Sequence, residues 1–486
     1  MSQKKSTQCL VLGSGPGGYA AAFRAADLGM QVTLVEKFET LGGVCLNVGC
    51  IPSKALLHVA EVVNEAGQHE KMGIKTSKPE LEIPKVQKFK EQTVSKLTKG
   101  LDMLAKKRKV EVVHGLGHFE DKHTLAVIAQ NGEKTEIQFE SCIIATGSKP
   151  VHLPFLPDDP RVVNSTGALK LSITTGKMLV IGGGIIGCEM ATVYNAMGME
   201  VHVVEMTGQI MPGADLDLVK PCQKMLEKRG VTFHVNTKVE SAKASKKGIS
   251  VQFTGNDKLE GEQLFDLVLE SVGRKPNTAG LNLDQAGVEV DARGYITVDA
   301  RYLRTSQPHI YAVGDIIGDP MLAHKATAQG RIAAELVAGE KVAYDTVVIP
   351  NVAYTDPEVA WVGKTQQHCK EEGLEVEMGV FPWAANGRSL CIGRDEGCTK
   401  IITDANTGRI IGAGIVGRHA GDLIAELGLA IEMGCDIEDV ALTVHAHPTL
   451  AETVGMAAEA CEGTLTDLYM PKPKPKFKKN HEAISS

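Results

Sequence analysis

No apolar run in this 486-residue sequence approaches the roughly 20 residues needed to span a bilayer, so a membrane helix is not expected. Met1 to Gln8 carries neither an apolar signal core nor an Arg-rich transit segment. The mature protein is therefore expected to start at or near Met1 and to work in the cytoplasm. Basic excess is also missing: the net charge of −7 offers no electrostatic case for nucleic acid. Eleven cysteines in so long a chain do not make a secreted disulfide framework. Most stand singly, as Cys142, Cys188, Cys222 and Cys391 do, and read as small buried hydrophobes. Only Cys45 and Cys50 sit in a context that argues otherwise.

What the sequence does have is a repeat. Cys9 to Lys37 and Lys177 to Met206 each read as a short apolar strand, a glycine-rich turn, an Ala-containing helix, a Gly and a second strand ending in Glu. That is a βαβ unit twice, about 170 residues apart, which marks two domains rather than a solenoid. Between them, Glu61 to Lys109 is helical in its second half, and Val110 to Phe139 alternates in the manner of antiparallel strands. Cys142 to Gly147 and Ile310 to Asp315 read as buried strands, and Pro154 to Arg161 as a linker. From about Pro350 the chain reads as α+β. The tail from Pro471, with Lys472, Lys474, Lys476, Lys478 and Lys479, offers little to pack and reads as disordered or polyproline-like. A basic tail could steer an acidic partner, but a solvated tail is the simpler expectation.

Gly13, Gly15 and Gly18 form G-x-G-x-x-G after a strand and before a helix. The first glycine allows the tight turn, the second lets a pyrophosphate reach the backbone, and the third lets helix and strand pack closely. Glu36 ends the next strand, where a carboxylate can accept hydrogen bonds from ribose hydroxyls. Gly182, Gly184 and Gly187 repeat the pattern, with Glu205 in the acidic place. A carboxylate there repels a 2′-phosphate, and no basic residue follows in Met206 to Gln209, so NAD is favoured over NADP. Two dinucleotide sites in one chain suggest a flavin and a nicotinamide passing electrons between them.

Cys45 and Cys50 lie in GGVCLNVGCIPSK. On an undistorted helix a five-residue step separates Cα atoms by about 8–9 Å, whereas a disulfide needs roughly 4.4–6.8 Å. If the two bond, the segment must bend, and Gly49 supplies the freedom; otherwise they are two unrelated buried cysteines. A position near a helix N-terminus would favour thiolates. In His445-Ala446-His447-Pro448, Pro448 suits the first position of a helix, and Glu452 lies over a turn further on, where it could hold the His447 ring as a base of fixed tautomer.

With these motifs together, Cys9 to Glu462 resembles the pyridine nucleotide–disulfide oxidoreductase family. GGVCLNVGCIPSKALL, IYAVGDIIGDPMLAHKA, YTDPEVAWVG and HAHPTLAE are most similar to its branch acting on dihydrolipoamide. The resemblance implies an α/β fold with two Rossmann-like dinucleotide-binding domains and a C-terminal α+β dimerisation domain. It divides the chain into an FAD-binding part (1–150), an NAD-binding part (151–277), a central part completing the FAD site (278–349), a dimerisation part (350–470) and the tail (471–486). FAD would lie on Gly13, Gly15 and Gly18, with Glu36 on its ribose and Lys54 near its flavin ring. Lys37, Gly43, Gly117, Thr146, Gly147, Ser148, Asp315, Met321, Leu322, Ala323 and His324 would be further contacts. NAD would lie on Gly182, Gly184, Ile185, Ile186 and Gly187 with Glu205, near Val239 and Gly273. Glu189 would pair with Lys54. Cys45 would exchange with substrate, Cys50 would touch the flavin, and His447 with Glu452 would be the base pair, supplied by the partner subunit of a homodimer. The partners implied are lipoyl domains and the acyltransferase (E2) core of a 2-oxo acid dehydrogenase complex. Cys188, Glu270 and Ser271 depart from the family's usual pattern without touching these roles. A branch using NADPH would place Arg after the second fold, and another would carry an extra Cys pair near the C-terminus, where only Cys461 lies here.

Overall fold

A strand that is apolar on both faces belongs in the middle of a parallel sheet covered by helices, and Cys9 to Leu12 is such a run. The computed structural model describes residues 3–66, 72–75, 77, 79–255 and 261–469; the tail from Pro471 lies outside them. In it β1 (Gln3–Leu12) pairs parallel with β2 (Val32–Glu36) and β6 (Lys134–Ile144). The crossover is α1 (Pro16–Asp27), which starts with proline at its first position, where the missing N–H costs nothing. Cys9, Leu10 and Val11 are fully buried.

Next come α2 (Gly43–Val48), α3 (Cys50–Ala66) and α4 (Ile83–Lys107). The sheet runs β3–β2–β1–β6–β5–β4, with β3 Glu111–His114, β4 Leu116–Phe119 and β5 Thr124–Ile128. One sequence expectation changes here. β4, β5 and β6 are antiparallel as anticipated, but β3 pairs parallel with β2. The cause is α4, a 25-residue connection that returns the chain to the same end of the sheet. The strand Ile310–Ala312 also joins β6 in parallel. It stops short of Asp315, because Gly314 turns at φ 79° and Asp315 falls in the short helical turn Gly314–Ile317.

The second repeat builds a five-stranded parallel sheet in the order Thr232–His234, Glu200–Val204, Lys177–Ile181, Leu267–Glu270, Val162–Asn164. Its crossover helix is Ile185–Ala196, and a three-stranded antiparallel sheet starts at Thr237. These parts form one compact unit, Met1–Met211 with Glu227–Thr346.

The other compact unit is Pro212–Leu226 with Val347–Ser486. Its core is an antiparallel five-stranded sheet in the order Asn351–Ala353, Glu358–Gly363, Ile410–Gly417, Cys398–Asp404, Val376–Pro382. Helices Ala420–Glu432 and Glu452–Glu462 cover it, giving the expected α+β character. Lys400 is buried in this unit, with Nζ 2.7 Å from Asp215 and 2.8 Å from Asp217.

Within Gly43–Ala66 an 18-residue window has a mean hydropathy of 1.3, enough by length and composition alone to cross a membrane. In the structure this segment is two helices, and α3 buries Leu56, Leu57 and Ala60 within the first unit.

Candidate active site

Two glycine loops each lead into a helix of the first unit. Gly13 and Gly182 turn at φ 98° and 101°, where only glycine is unstrained. A Cβ on Gly18 would stand 1.8 Å from the Gly13 carbonyl oxygen, and one on Gly187 2.0 Å from that of Gly182. The middle glycines are different: a Cβ on Gly15 or Gly184 would meet nothing within 4 Å. Each is also the N-cap of its helix and supplies no side-chain cap, so the helix N–H groups face that open space. Open backbone, free donors and a positive helix end together fit a pyrophosphate.

The acids close each loop in the same way. Glu36 is buried; its Oε2 accepts the Ser14 N–H at 2.9 Å and the Ser14 hydroxyl at 2.6 Å, and its Oε1 accepts the Phe38 N–H at 3.0 Å. Glu205 Oε2 accepts the Gly183 N–H at 2.8 Å, and Oε1 accepts the Thr207 N–H and hydroxyl, both at 2.9 Å.

The cysteine pair lies on α2 and α3, with α2 starting against the first loop. Gly49, at φ −143° and ψ −115°, ends α2, and Cys50 begins α3. The helix is therefore broken between the two cysteines, as the spacing argument required. Gly49 is needed for space: a Cβ there would stand 2.8 Å from the Val44 carbonyl oxygen. Gly43 (φ 57°) starts α2 against the first glycine loop, where a Cβ would meet Gly15 at 2.6 Å. Both cysteines are thiols in this structure, and the Cys45 S–H donates to the Cys50 sulfur. That hydrogen bond and the Lys54 ammonium bring the Cys50 thiol down to about 7, against desolvation and the Glu189 charge. Cys45 is pushed well up, by the same hydrogen bond first and then by burial. Lys54 Nζ lies 2.9 Å and 3.0 Å from the two oxygens of buried Glu189 on the Ile185–Ala196 helix.

The other residues singled out by the sequence for cofactor contact lie in the first unit. Ser148 donates its hydroxyl proton to Asp315 Oδ2 at 2.5 Å. Thr146 and Asn277 bond one another, Asn277 Nδ2 to the Thr146 carbonyl at 2.9 Å and the Thr146 hydroxyl to the Asn277 carbonyl at 3.2 Å. Gly147 adopts φ 69° between them. Met321 and Leu322 lead into the helix Ala323–Val337, which Ala323 and His324 begin. Gly117 sits in β4, where a Cβ would stand 2.8 Å from Leu12. Lys37 lies over its neighbour's ring, 4.8 Å from the Phe38 centroid. Val239 is buried at a bulge in the antiparallel strand Thr237–Ser245, and Gly273 turns at φ 128°. Ile185 and Ile186 open the second crossover helix. Two contributors, buried Lys325 and half-buried Arg274, went unread in the sequence. Lys325 donates to the Gly318 carbonyl at 2.7 Å, and Arg274 bonds Ser148. The only signal for Lys325 was a basic residue inside IYAVGDIIGDPMLAHKA, and for Arg274 one inside the GRKPN segment that Gly273 begins.

In the second unit His447 Nδ1 lies 2.8 Å from Glu452 Oε1, and Glu452 Oε2 accepts the Thr449 N–H at 2.7 Å. Burial alone would raise the Glu452 carboxyl; the Thr449 N–H and His447 outweigh it and hold it below the usual carboxylate range. The helix starts later than the sequence suggested. Pro448 is not its first residue; Glu452 is. The intervening residues form a separate turn, closed by the Thr449 hydroxyl donating to the Ala446 carbonyl at 2.7 Å.

Residues 7–330 match the family model described as pyridine nucleotide-disulphide oxidoreductase, and residues 349–458 the one described as its dimerisation domain. The chain is 54% identical to dihydrolipoyl dehydrogenase of Haemophilus influenzae over 98% of this chain and 99% of that one. It is 51% identical to the Vibrio cholerae protein of the same name, over 98% and 100%. Among solved structures, LpdA from Mycobacterium tuberculosis is similar with TM-score 0.86 and 26% identity, covering 93% of this chain and 99% of that one. The HOCl-induced flavoprotein disulfide reductase RclA of Escherichia coli gives TM-score 0.81 and 26% identity, covering 92% and 98%. The chain belongs to the pyridine nucleotide-disulphide oxidoreductase family, and its C-terminal unit contains that family's dimerisation domain.

Proposed function

We propose that this chain is an NAD-dependent flavoprotein that oxidises protein-bound dihydrolipoamide to lipoamide through Cys45 and Cys50. The observation that carries the reading is the broken helix at Gly49, which sets a thiolate-favouring Cys50 beside a protonated Cys45 next to the Lys54–Glu189 pair.

In the oxidised enzyme Cys45 and Cys50 share a disulfide. His447 takes the proton from one substrate thiol, since only the thiolate attacks. That thiolate bonds to Cys45 Sγ, the Cys45–Cys50 bond breaks, and Cys50 leaves as a thiolate stabilised by Lys54. The second substrate thiol then attacks the sulfur bonded to Cys45 and passes its proton to the departing Cys45, closing the lipoamide ring and leaving a Cys45 thiol, a Cys50 thiolate and protonated His447. Glu452 holds the His447 ring by Nδ1, leaving Nε2 as the proton acceptor. Bound FAD supplies the acceptor for the dithiol's electron pair, and bound NAD the final hydride acceptor.

We assign FAD to the first glycine loop with Glu36, Ser148 and Asp315, in residues 1–150 completed by 278–349. NAD is assigned to the second loop with Glu205, in residues 151–277. Residues 350–470 are assigned to a homodimer interface, through which the partner subunit supplies His447 and Glu452. We further infer a cytoplasmic enzyme docking on lipoyl domains and the acyltransferase core of a 2-oxo acid dehydrogenase complex, supported by the names of its relatives. The test is NADH formation from dihydrolipoamide by wild type, Cys45→Ser and Cys50→Ser. Loss in both variants with flavin retained is expected; full turnover in either, or none in wild type, would sink the reading.

A further inference from the structure

We propose that Arg274 is a positioning residue that aims the Asp315 carboxylate by acting through the Ser148 hydroxyl. The proposal rests on the flavin site assigned above. Arg274 begins the short strand Arg274–Pro276, which pairs antiparallel with Ser148–Pro150. Its guanidinium grips Ser148 with two teeth: Nε–H donates to the hydroxyl oxygen at 2.7 Å, and an Nη2–H donates to the carbonyl oxygen at 2.8 Å. Ser148 is itself buried at 2% exposure, so water does not substitute for these contacts.

A serine hydroxyl has a single proton. Once Nε–H occupies one of its lone pairs, that proton is left pointing at Asp315 Oδ2, 2.5 Å away. The bond is short because its acceptor is charged. Asp315 Oδ1 takes no hydrogen bond from the described residues, so one oxygen is locked and the other is presented for a ligand hydroxyl. The turn carrying Asp315 is fixed on its other side too. The Gly314 N–H donates to Gln329 Oε1 at 2.9 Å, and buried Lys325 holds the Gly318 carbonyl at 2.7 Å.

Arg274 thus reaches the ligand-facing carboxylate without touching the ligand. Without it, the Ser148 hydroxyl is free to rotate and Asp315 loses its aim. Lysine keeps the charge but has no planar fork to make both bonds.

The experiment follows FAD release from the holoenzyme, read as the fluorescence of freed flavin after dilution into a flavin-scavenging apoprotein. Arg274→Met and Ser148→Ala should each speed release by about tenfold or more, the scale for losing a charge-assisted hydrogen bond. Arg274→Lys should fall between wild type and Arg274→Met. Because both act through one hydroxyl, Arg274→Met combined with Ser148→Ala should release no faster than either alone. The double variant is the readout that a merely structural arginine would fail, because its loss would add to that of Ser148→Ala. Wild-type release from Arg274→Met, or additive effects in the double variant, would each overturn the proposal. Should Arg274→Met fail to fold, Ser148→Ala decides it: release at the wild-type rate would refute the relay. A wild-type protein unable to take up FAD would instead overturn the flavin-site reading, a result distinct from these.

Discussion

The two glycine loops are near copies in backbone, yet their acids are held by differently placed donors. Gly15 and Gly184 have φ/ψ of −64°/−177° and −68°/−176°. Each acid accepts two backbone N–H groups and one hydroxyl. In the first loop the hydroxyl comes from Ser14, inside the turn and fully buried. In the second, Gly183 has no hydroxyl to give, and the exposed Thr207 after the acid supplies it. Hydrogen bonds made away from water are not exchanged for water. The first loop therefore suits a ligand held through many turnovers, and the second a ligand that comes and goes.

The strongest way to break this comparison is a methyl group in each turn. Gly18→Ala forces Cβ into a backbone oxygen that cannot move aside. The expected protein purifies without flavin, read from its visible absorbance. Gly187→Ala should keep its flavin and lose roughly 100-fold in NADH oxidation, about 3 kcal/mol of binding. Equal flavin content in both variants would erase the distinction between the loops.

A gentler test neutralises the acids. Glu36→Gln should weaken FAD about tenfold and leave the KM for NADH alone, while Glu205→Gln should raise that KM about tenfold with flavin unchanged. Crossed effects would mean the two ligand assignments are reversed.

The smallest effect falls where the two folds meet, at Lys54 and Glu189. The Cys50 thiolate forms as pH rises through about 7. Lys54→Met removes a stabilising cation and should move that midpoint up; Glu189→Gln removes an opposing anion and should move it down. The ultraviolet thiolate absorbance of the reduced protein reads both, and shifts of the same sign would refute the electrostatic account.

Much of this architecture was readable from local pattern. The two βαβ units announce themselves through glycine spacing and a following acid, and the break at Gly49 follows from the reach of a disulfide. What escaped was long-range. Nothing in Glu111 to His114 says that β3 will pair parallel with β2; only the length of α4 decides it. Nothing near Asp215 and Asp217 in the chain announces Lys400, more than 180 residues later and buried against them. The turn before Glu452 likewise depends on side-chain bonds that no helix signal encodes. Arg274 carries no mark of its own in GRKPN, because its meaning lies in Ser148 across a strand pair.

The break at Gly49 has one more consequence. In a disulfide closed between equivalent positions, either sulfur could leave. Here Cys50 stands at the head of the 17-residue α3, whose free N–H groups and dipole favour negative charge there. Cys45 lies in the first turn of α2, which is only six residues long and offers a much weaker dipole. A Cys45–Cys50 disulfide would therefore have a built-in polarity, like a rectifier: attack at the Cys45 sulfur would leave charge where the protein can hold it, and electrons would enter from one end.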